Sequence, residues 1–294
     1  MDYQVRPEDV NRSLRDILRN ELQLSEGAIR RAKWNGRLLL NGETAHVTHR
    51  LQAGDLVRYV PEENKPAFPV QPLALSLNIP WRSDELLIID KPAPLASQSG
   101  RNHPNDSLEN AVFHYLGCPD DYIYRPVNRL DKGTSGLMAV ALNGEEQARL
   151  QRLLHTERFQ RKYHAVTEGL PPEREGIIDF PIAKTEGATI RRGVSPLGKP
   201  CVTHYKVLKS IGQRALVELE LETGRTHQIR VHLSYIGCPV VGDFLYGSET
   251  PELPGRFALH STFISFPLRN GETVTLSSPL PADLEALLQG AGQP

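Results

Sequence analysis

Four prolines in twelve residues, Pro61, Pro66, Pro69 and Pro72, constrain the fold of this chain more than any other feature. Each ring fixes φ and removes a backbone donor, so neither a helix nor an interior strand runs easily through 61–72. The stretch reads as an extended linker. It separates a small N-terminal domain, 1–60, from a body, 73–294, long enough to bury its own core.

Composition then excludes several classes. The hydrophobic share is 39% and the charged share 23%, near ordinary globular values and against wholesale disorder. Lys and Arg number 34 against 35 Asp and Glu, for a formal net charge of −1. Any nucleic-acid contact must therefore use local basic patches rather than whole-chain charge. Cys118, Cys201 and Cys238 are far apart, odd in number and without a Cys-x-x-Cys pair. They support neither a disulfide framework nor a zinc knuckle, and read as small buried apolar side chains in a reducing compartment. The first residues hold no apolar signal core, and no stretch approaches the ~18 apolar residues of a membrane span. The expected setting is the cytoplasm, with no membrane partner.

In the small domain Leu14, Ile17, Leu18 and Leu22 recur at helical spacing. Ser25 offers an N-cap for a second helix carrying Arg30, Arg31 and Lys33. A strand over 37–40 turns at Asn41-Gly42, and Gly54-Asp55 turns into a strand over 56–60. The basic run on the second helix suits a phosphate backbone, or equally a solvated face. These features resemble the S-four-like RNA-binding fold first seen in a small-subunit ribosomal protein. The resemblance implies that Arg30, Arg31 and Lys33 contact RNA.

The body mixes α and β. Apolar runs at 85–90 and 136–142 read as buried strands. A helix over 107–116 places Leu108, Ala111, Val112 and Tyr115 on one face. Asn143 caps another, with Glu146 close to a capping box and Ala148, Leu150, Leu153 and Leu154 as its apolar positions. Val217, Leu219 and Leu221 alternate with Glu218, Glu220 and Glu222, a half-exposed strand with an acidic outer face. Thr226 is placed to cap a helix bearing Ile229, Leu233 and Ile236. No regular βαβ spacing appears, so the expected class is α+β with a mixed, largely antiparallel sheet.

The most informative stretch is 125–137, where Arg129-Leu130-Asp131 precedes Gly133-Thr134-Ser135-Gly136 at the edge of a buried strand. An acid beside bases on a loop braced by a scaffold suits catalysis; an Asx-turn or surface ion pair is the plainer reading. Gly-Thr-Ser-Gly lacks the Gly-x-Ser-x-Gly spacing of a nucleophile elbow.

These residues resemble the signature of the RluA family of RNA pseudouridine synthases. Lys162-Tyr163, the run 223–233 containing Arg225, His227 and Arg230, the loop 237–243, and Leu259-His260 match further motifs of that family, in its order. The resemblance implies a mixed sheet with a central catalytic cleft, and conversion of uridine to pseudouridine in ribosomal or transfer RNA. It implies no cofactor and no metal, since the reaction is an isomerisation. An S-four-like domain ahead of such a body is a common arrangement in the family, and a monomer with no obligate protein partner is expected.

By the same resemblance Asp131 is the catalytic carboxylate, either attacking the ribose or removing a ribose proton. Arg230 pairs with it, Tyr163 stacks on the target base, and Leu259 packs the other side. Arg129 fills the gap left when the uridine leaves its stack, which it must do to expose its reacting atoms. Arg161, Lys162, Arg225 and His227 are candidate phosphate contacts. Asn128 stands where many relatives have His and cannot serve as a titrating base; Pro94 stands where relatives often have Gly. Two rivals stay open: an RNA-binding assembly factor that has kept the fold, and a hydrolase using Asp131 or Ser135, which would release uracil.

Overall fold

The computed structural model describes residues 1–22, 24, 26–34, 36–60, 69–154 and 156–289, without the side chains of 26, 27, 31 and 34. Ser25, residues 61–68 of the proline-rich stretch and the Arg31 side chain thus lie outside the description. The chain divides into two compact units, Met1–Lys65 and Pro66–Pro294.

In the first unit the helix Leu14–Asn20 starts at Ser13, whose hydroxyl accepts from the Asp16 amide while the Asp16 carboxylate accepts from the Ser13 amide. Leu14, Ile17 and Leu18 are fully buried. Leu22 falls beyond the helix end but packs on the same core. The helix Glu26–Trp34 adds Ile29 and Ala32 to that core and leaves Arg30 and Lys33 exposed. A four-stranded antiparallel sheet runs in the order Asp2–Gln4, Leu56–Tyr59, Leu38–Leu40, Glu43–Thr44. Its hairpin turns at Asn41 and Gly42, both at positive φ (54° and 91°).

The second unit is built on a ten-stranded sheet, mixed but mostly antiparallel. Its central strand, Ser135–Ala141, is buried along its whole length. Met138 and Val140 enter one core with Leu87 and Ile89; Leu137, Ala139 and Ala141 enter another with Leu86 and Ile88. Strands covered on both faces read as unbroken apolar runs, which is why 85–90 and 136–142 were visible in the sequence. The helices Leu108–Tyr115 and Gln228–Tyr235 contribute Leu108, Val112, Ile229 and Leu233 to the first core, and the helix Gly144–Leu153 contributes Leu150 to the second.

One seam in this sheet is parallel: Leu259–Pro267 lies beside Ser135–Ala141 with His260 opposite Ser135 and Ser261 opposite Gly136. Gly136 adopts φ +107°, and a Cβ there would lie 2.2 Å from the Ser261 carbonyl oxygen. Only glycine permits so close an approach. On its other side Leu259–Pro267 pairs antiparallel with Gln160–Glu168, where a bulge separates the pairs Ser261–Tyr163 and Phe263–Lys162.

Several sequence expectations need correction. Tyr115 is 40% exposed, because at the helix end its hydroxyl reaches out to accept from Arg82 at 2.9 Å. Ala148 faces solvent, and the helix buries Glu146 instead. That carboxylate does not complete a capping box; Arg149 (2.5 Å) and Arg269 (3.2 Å) neutralise it. The helix Gln228–Tyr235 starts at His227 in the left-handed region (φ 60°), not at Thr226. Here the Gln228 side chain accepts from the Arg225 amide (3.0 Å) and the Thr223 hydroxyl (2.8 Å), organising the turn from inside. Cys201 and Cys238 are buried, but Cys118 is exposed, carried outward by a positive-φ turn after the helix Leu108–Tyr115. Among the described residues no helix is long and apolar enough to cross a membrane.

Candidate active site

The loop 128–134 enters the parallel seam, and backbone bonds fix its shape. Asn128 Oδ1 accepts from the Ala139 amide (2.9 Å), Ser97 Oγ donates to the Leu130 carbonyl (2.6 Å), and the Thr134 amide donates to the Asp131 carbonyl (3.0 Å). Beneath it the Lys91 side chain, fully buried, donates to the carbonyls of Leu95 (2.7 Å) and Pro92 (3.0 Å). Burial pushes this ammonium down to about 7, although the Asp131 charge acts the other way.

Asp131 projects from that loop with its side chain 28% exposed. Arg230, 3% exposed on the helix Gln228–Tyr235, donates from Nη1 to Asp131 Oδ2 at 2.9 Å. Its remaining donors form a fork on Asp243: Nε to Oδ2 at 2.7 Å and Nη2 to Oδ1 at 2.8 Å. Asp243 is completely buried and also accepts from the Leu245 amide. The ring of Phe257 lies 4.1 Å from the guanidinium carbon. Burial alone would lower the Arg230 pKa, but Asp243 and Asp131 outweigh it and raise it. A buried guanidinium satisfied on one side by a buried carboxylate is thus held rigid to meet a second, partly exposed one.

His227 stands beside this pair. Its Nε2 is 3.9 Å from Asp131 Oδ2 and its Nδ1 is 2.8 Å from the Tyr246 hydroxyl. The Arg192 amide donates to that same hydroxyl at 2.9 Å, so the tyrosine proton points to Nδ1 and Nε2 carries the imidazole proton toward the carboxylate. Burial pushes the His227 pKa down, against the pull of Asp131.

Tyr163 (5% exposed) and Leu259 (4% exposed) rise from adjacent strands. With Arg129, Asp131, Arg225, His227 and Arg230 they line one hollow of about 70 Å³. The hollow opens on a groove of about 710 Å³ whose wall includes Arg129, Lys132, Arg161 and Arg225; Asp131 is the only acidic residue among its described lining. Lys162 is a correction. Side chains alternate along a strand, so it lies on the opposite face from Tyr163 and pairs with Glu220 (2.7 Å) and Glu218 (3.3 Å) of the acidic strand Arg214–Leu221. Ser135 lines neither space; its hydroxyl is buried between His260 Nδ1 (2.9 Å) and Arg256 Nη2 (3.0 Å).

Sequence reasoning missed Asp243, Lys91, Tyr246 and Phe257. Only the first two left a trace: Asp243 closes the Gly-Asp turn at 242–243, and Lys91 ends the apolar run just before Pro92.

Fold and groove together present one carboxylate, held by a buried arginine, in a cleft walled by positive charge. The comparisons with known proteins make this specific: the chain belongs to the RNA pseudouridylate synthase family, whose model matches residues 85–235. It is 37% identical over 276 residues to an uncharacterized RNA pseudouridine synthase, YjbO, of Bacillus subtilis (strain 168), covering 92% of this chain and 96% of that protein. It is 36% identical over 236 residues to the ribosomal large subunit pseudouridine synthase D of Haemophilus ducreyi, covering 74% of this chain and 72% of that one. Among solved structures, human RNA pseudouridylate synthase domain containing 1 superposes with a TM-score of 0.59 at 26% identity, covering 78% of this chain and 99% of that one.

Proposed function

We propose that this protein is an RluA-type synthase that isomerises a uridine of large-subunit ribosomal RNA to pseudouridine, with Asp131 as the catalytic carboxylate. The N1–C1′ bond breaks, the uracil turns within the hollow, C5 bonds to C1′, and the C5 proton is replaced by one at N1, so the reaction balances without a second substrate. Asp131 acts at the ribose. Arg230 keeps its carboxylate charged and aimed, Tyr163 and Leu259 hold the extruded base, and Arg129 occupies the vacated stack. The Arg129, Lys132, Arg161 and Arg225 wall carries the RNA backbone, which reconciles RNA binding with a net charge of −1. The first unit acts as an S-four-like RNA-binding domain through Arg30, Arg31 and Lys33, and the enzyme works in the cytoplasm as a monomer with no obligate protein partner.

One observation carries the reading: the only carboxylate among the groove's described lining is gripped at 2.9 Å by a buried arginine, in the same hollow as a tyrosine and a leucine. The choice of ribosomal RNA rests on the relative from Haemophilus ducreyi. The test is carbodiimide primer-extension mapping of ribosomal and transfer RNA from cells lacking the gene, complemented with wild type or Asp131→Asn. A pseudouridine that returns in large-subunit RNA only with wild type supports the reading. Restoration by Asp131→Asn removes the aspartate from its role, and a signal confined to transfer RNA replaces the substrate class.

A further inference from the structure

The groove also holds polar groups that the reaction at Asp131 does not use. Arg161 is 7% exposed, yet among the described residues its guanidinium makes a single bond, from Nη2 to the Leu154 carbonyl at 3.3 Å, and its Nε has no partner. No carboxylate pairs with it among the described residues. Asn128 is 5% exposed. Its Oδ1 is committed to the Ala139 amide, which fixes the amide orientation and leaves Nδ2 as a donor without an acceptor. The Tyr124 hydroxyl is likewise unpartnered. All three residues line the groove that contains Asp131 and Tyr163.

Orphaned buried donors are costly, and a buried guanidinium without a counter-charge is costlier still. Arginine does not escape by losing its proton. A cluster of two unpaired N–H donors, a hydroxyl able to donate, and an uncompensated positive charge lacks an anion with several acceptor oxygens. A base carbonyl would satisfy one donor and leave the charge uncompensated; a phosphate satisfies both. Arg161 and Tyr163 sit two residues apart on one face of a strand, roughly 7 Å, a span one nucleotide bridges between its base and an adjoining phosphate.

We propose that Arg161, assisted by Asn128 and Tyr124, forms a subsite for the phosphodiester adjoining the target nucleotide, and that the substrate supplies the counter-charge the free protein lacks. The inference rests on the proposed function for the identity of the anion, but its test does not require turnover. The probe is a labelled single-stranded RNA with one uridine among purines. Arg161→Gln should bind it about tenfold more weakly, with the slope of log K against log salt shallower by about 0.7, one single-strand phosphate contact. Arg161→Lys should keep the slope. A methylphosphonate at one of the two phosphates flanking the uridine should weaken wild-type binding about tenfold and leave Arg161→Gln unaffected. Because the guanidinium is unpaired, Arg161→Gln should melt no lower than wild type. An unchanged affinity and slope, an equal methylphosphonate penalty in both proteins, or a lowered melting temperature that marks a structural arginine would each overturn the subsite. Absence of pseudouridine formation together with the expected binding changes would instead count against the proposed reaction and leave the subsite standing.

Discussion

Arg230 donates to Asp131 at 2.9 Å while its other face is locked onto Asp243. A long side chain free to rotate would pay entropy to hold one carboxylate in place. The buried fork has met that cost in the resting fold, so the pair is positioned before RNA arrives. Asp243 is therefore a positioning residue. Asp243→Asn keeps the shape but gives up the charge and half the fork. It should lower kcat by 10- to 100-fold with KM nearly unchanged, because the contact it supports serves the reacting carboxylate rather than RNA affinity. Single-turnover kinetics would check this. A change confined to KM would show that Asp243 only shapes the binding surface.

Gly133 ties the same machinery to the loop above it. A Cβ at this position would meet the Phe257 ring at 2.6 Å, and that ring lies 4.1 Å from the Arg230 guanidinium. Gly133→Ala should push the ring into Arg230 and misaim Asp131. The expected loss is at least 10-fold in turnover, for a destabilisation of about 1–3 kcal/mol. Urea denaturation and initial rates on one preparation separate the two effects. Full activity would mean that Phe257 yields in another direction.

Much of this was legible in the chain, and the exceptions share a cause. The strands at 86–91 and 135–141 showed because both faces of the sheet are covered, leaving unbroken apolar runs. The helices Leu14–Asn20 and Leu108–Tyr115 showed through apolar spacing alone, although Ser13 and Ser107 cap them; of the caps read in the sequence, Asn143 accepts from the amide three residues on, while Thr226 gives way to His227. Asp131, Tyr163 and Arg230 were legible only through resemblance to a family, since periodicity does not reveal that residues 99 positions apart share an ion pair. Asp243 escaped for the same reason, as its partner Arg230 lies on another element; Lys91 escaped because its acceptors, the Pro92 and Leu95 carbonyls, belong to an irregular loop that periodicity does not trace. Lys162 misled because adjacent strand residues point to opposite faces, so a motif containing Tyr163 carries its neighbour to the wrong side.

That last point yields a contrast. Lys162 pairs with Glu218 and Glu220 on a partly exposed face, where such pairs contribute about 0–1 kcal/mol. Lys162→Ala should leave both stability and pseudouridine formation within about threefold of wild type. Arg225→Ala, on the groove wall, should raise KM severalfold and flatten the salt dependence. Equal losses in KM for the two variants would place Lys162 back on the RNA path.

The parallel seam beside the site should make the fold sensitive to acid, through His260. Arg256 Nη2 donates to the Ser135 hydroxyl (3.0 Å), so the Ser135 proton points to His260 Nδ1 (2.9 Å); Nε2–H then donates to Ser278 (3.1 Å), and Ser278 donates to Asp90 (2.7 Å). The chain has one direction and suits the neutral ring. Burial pushes the His260 pKa down to about 4, and a second ring proton would have to face the Ser135 hydroxyl hydrogen. Above the unfolded value of about 6.5 neither state binds this proton, and stability is independent of it. As pH falls from about 6.5 toward 4 the unfolded chain takes up the proton first, so stability declines across that window, by on the order of 3 kcal/mol in all, with about 2 of these gone by pH 4.5. His164, His227 and His232, also held low by burial, act in the same direction. Urea denaturation of wild type and His260→Gln at pH 7 and pH 4.5 isolates the one ring. The variant should be the less stable protein at pH 7, because Ser135 and Ser278 lose their shared partner, and should lose about 2 kcal/mol less than wild type on acidification. Parallel losses in the two proteins would assign the acid sensitivity of the seam to other groups.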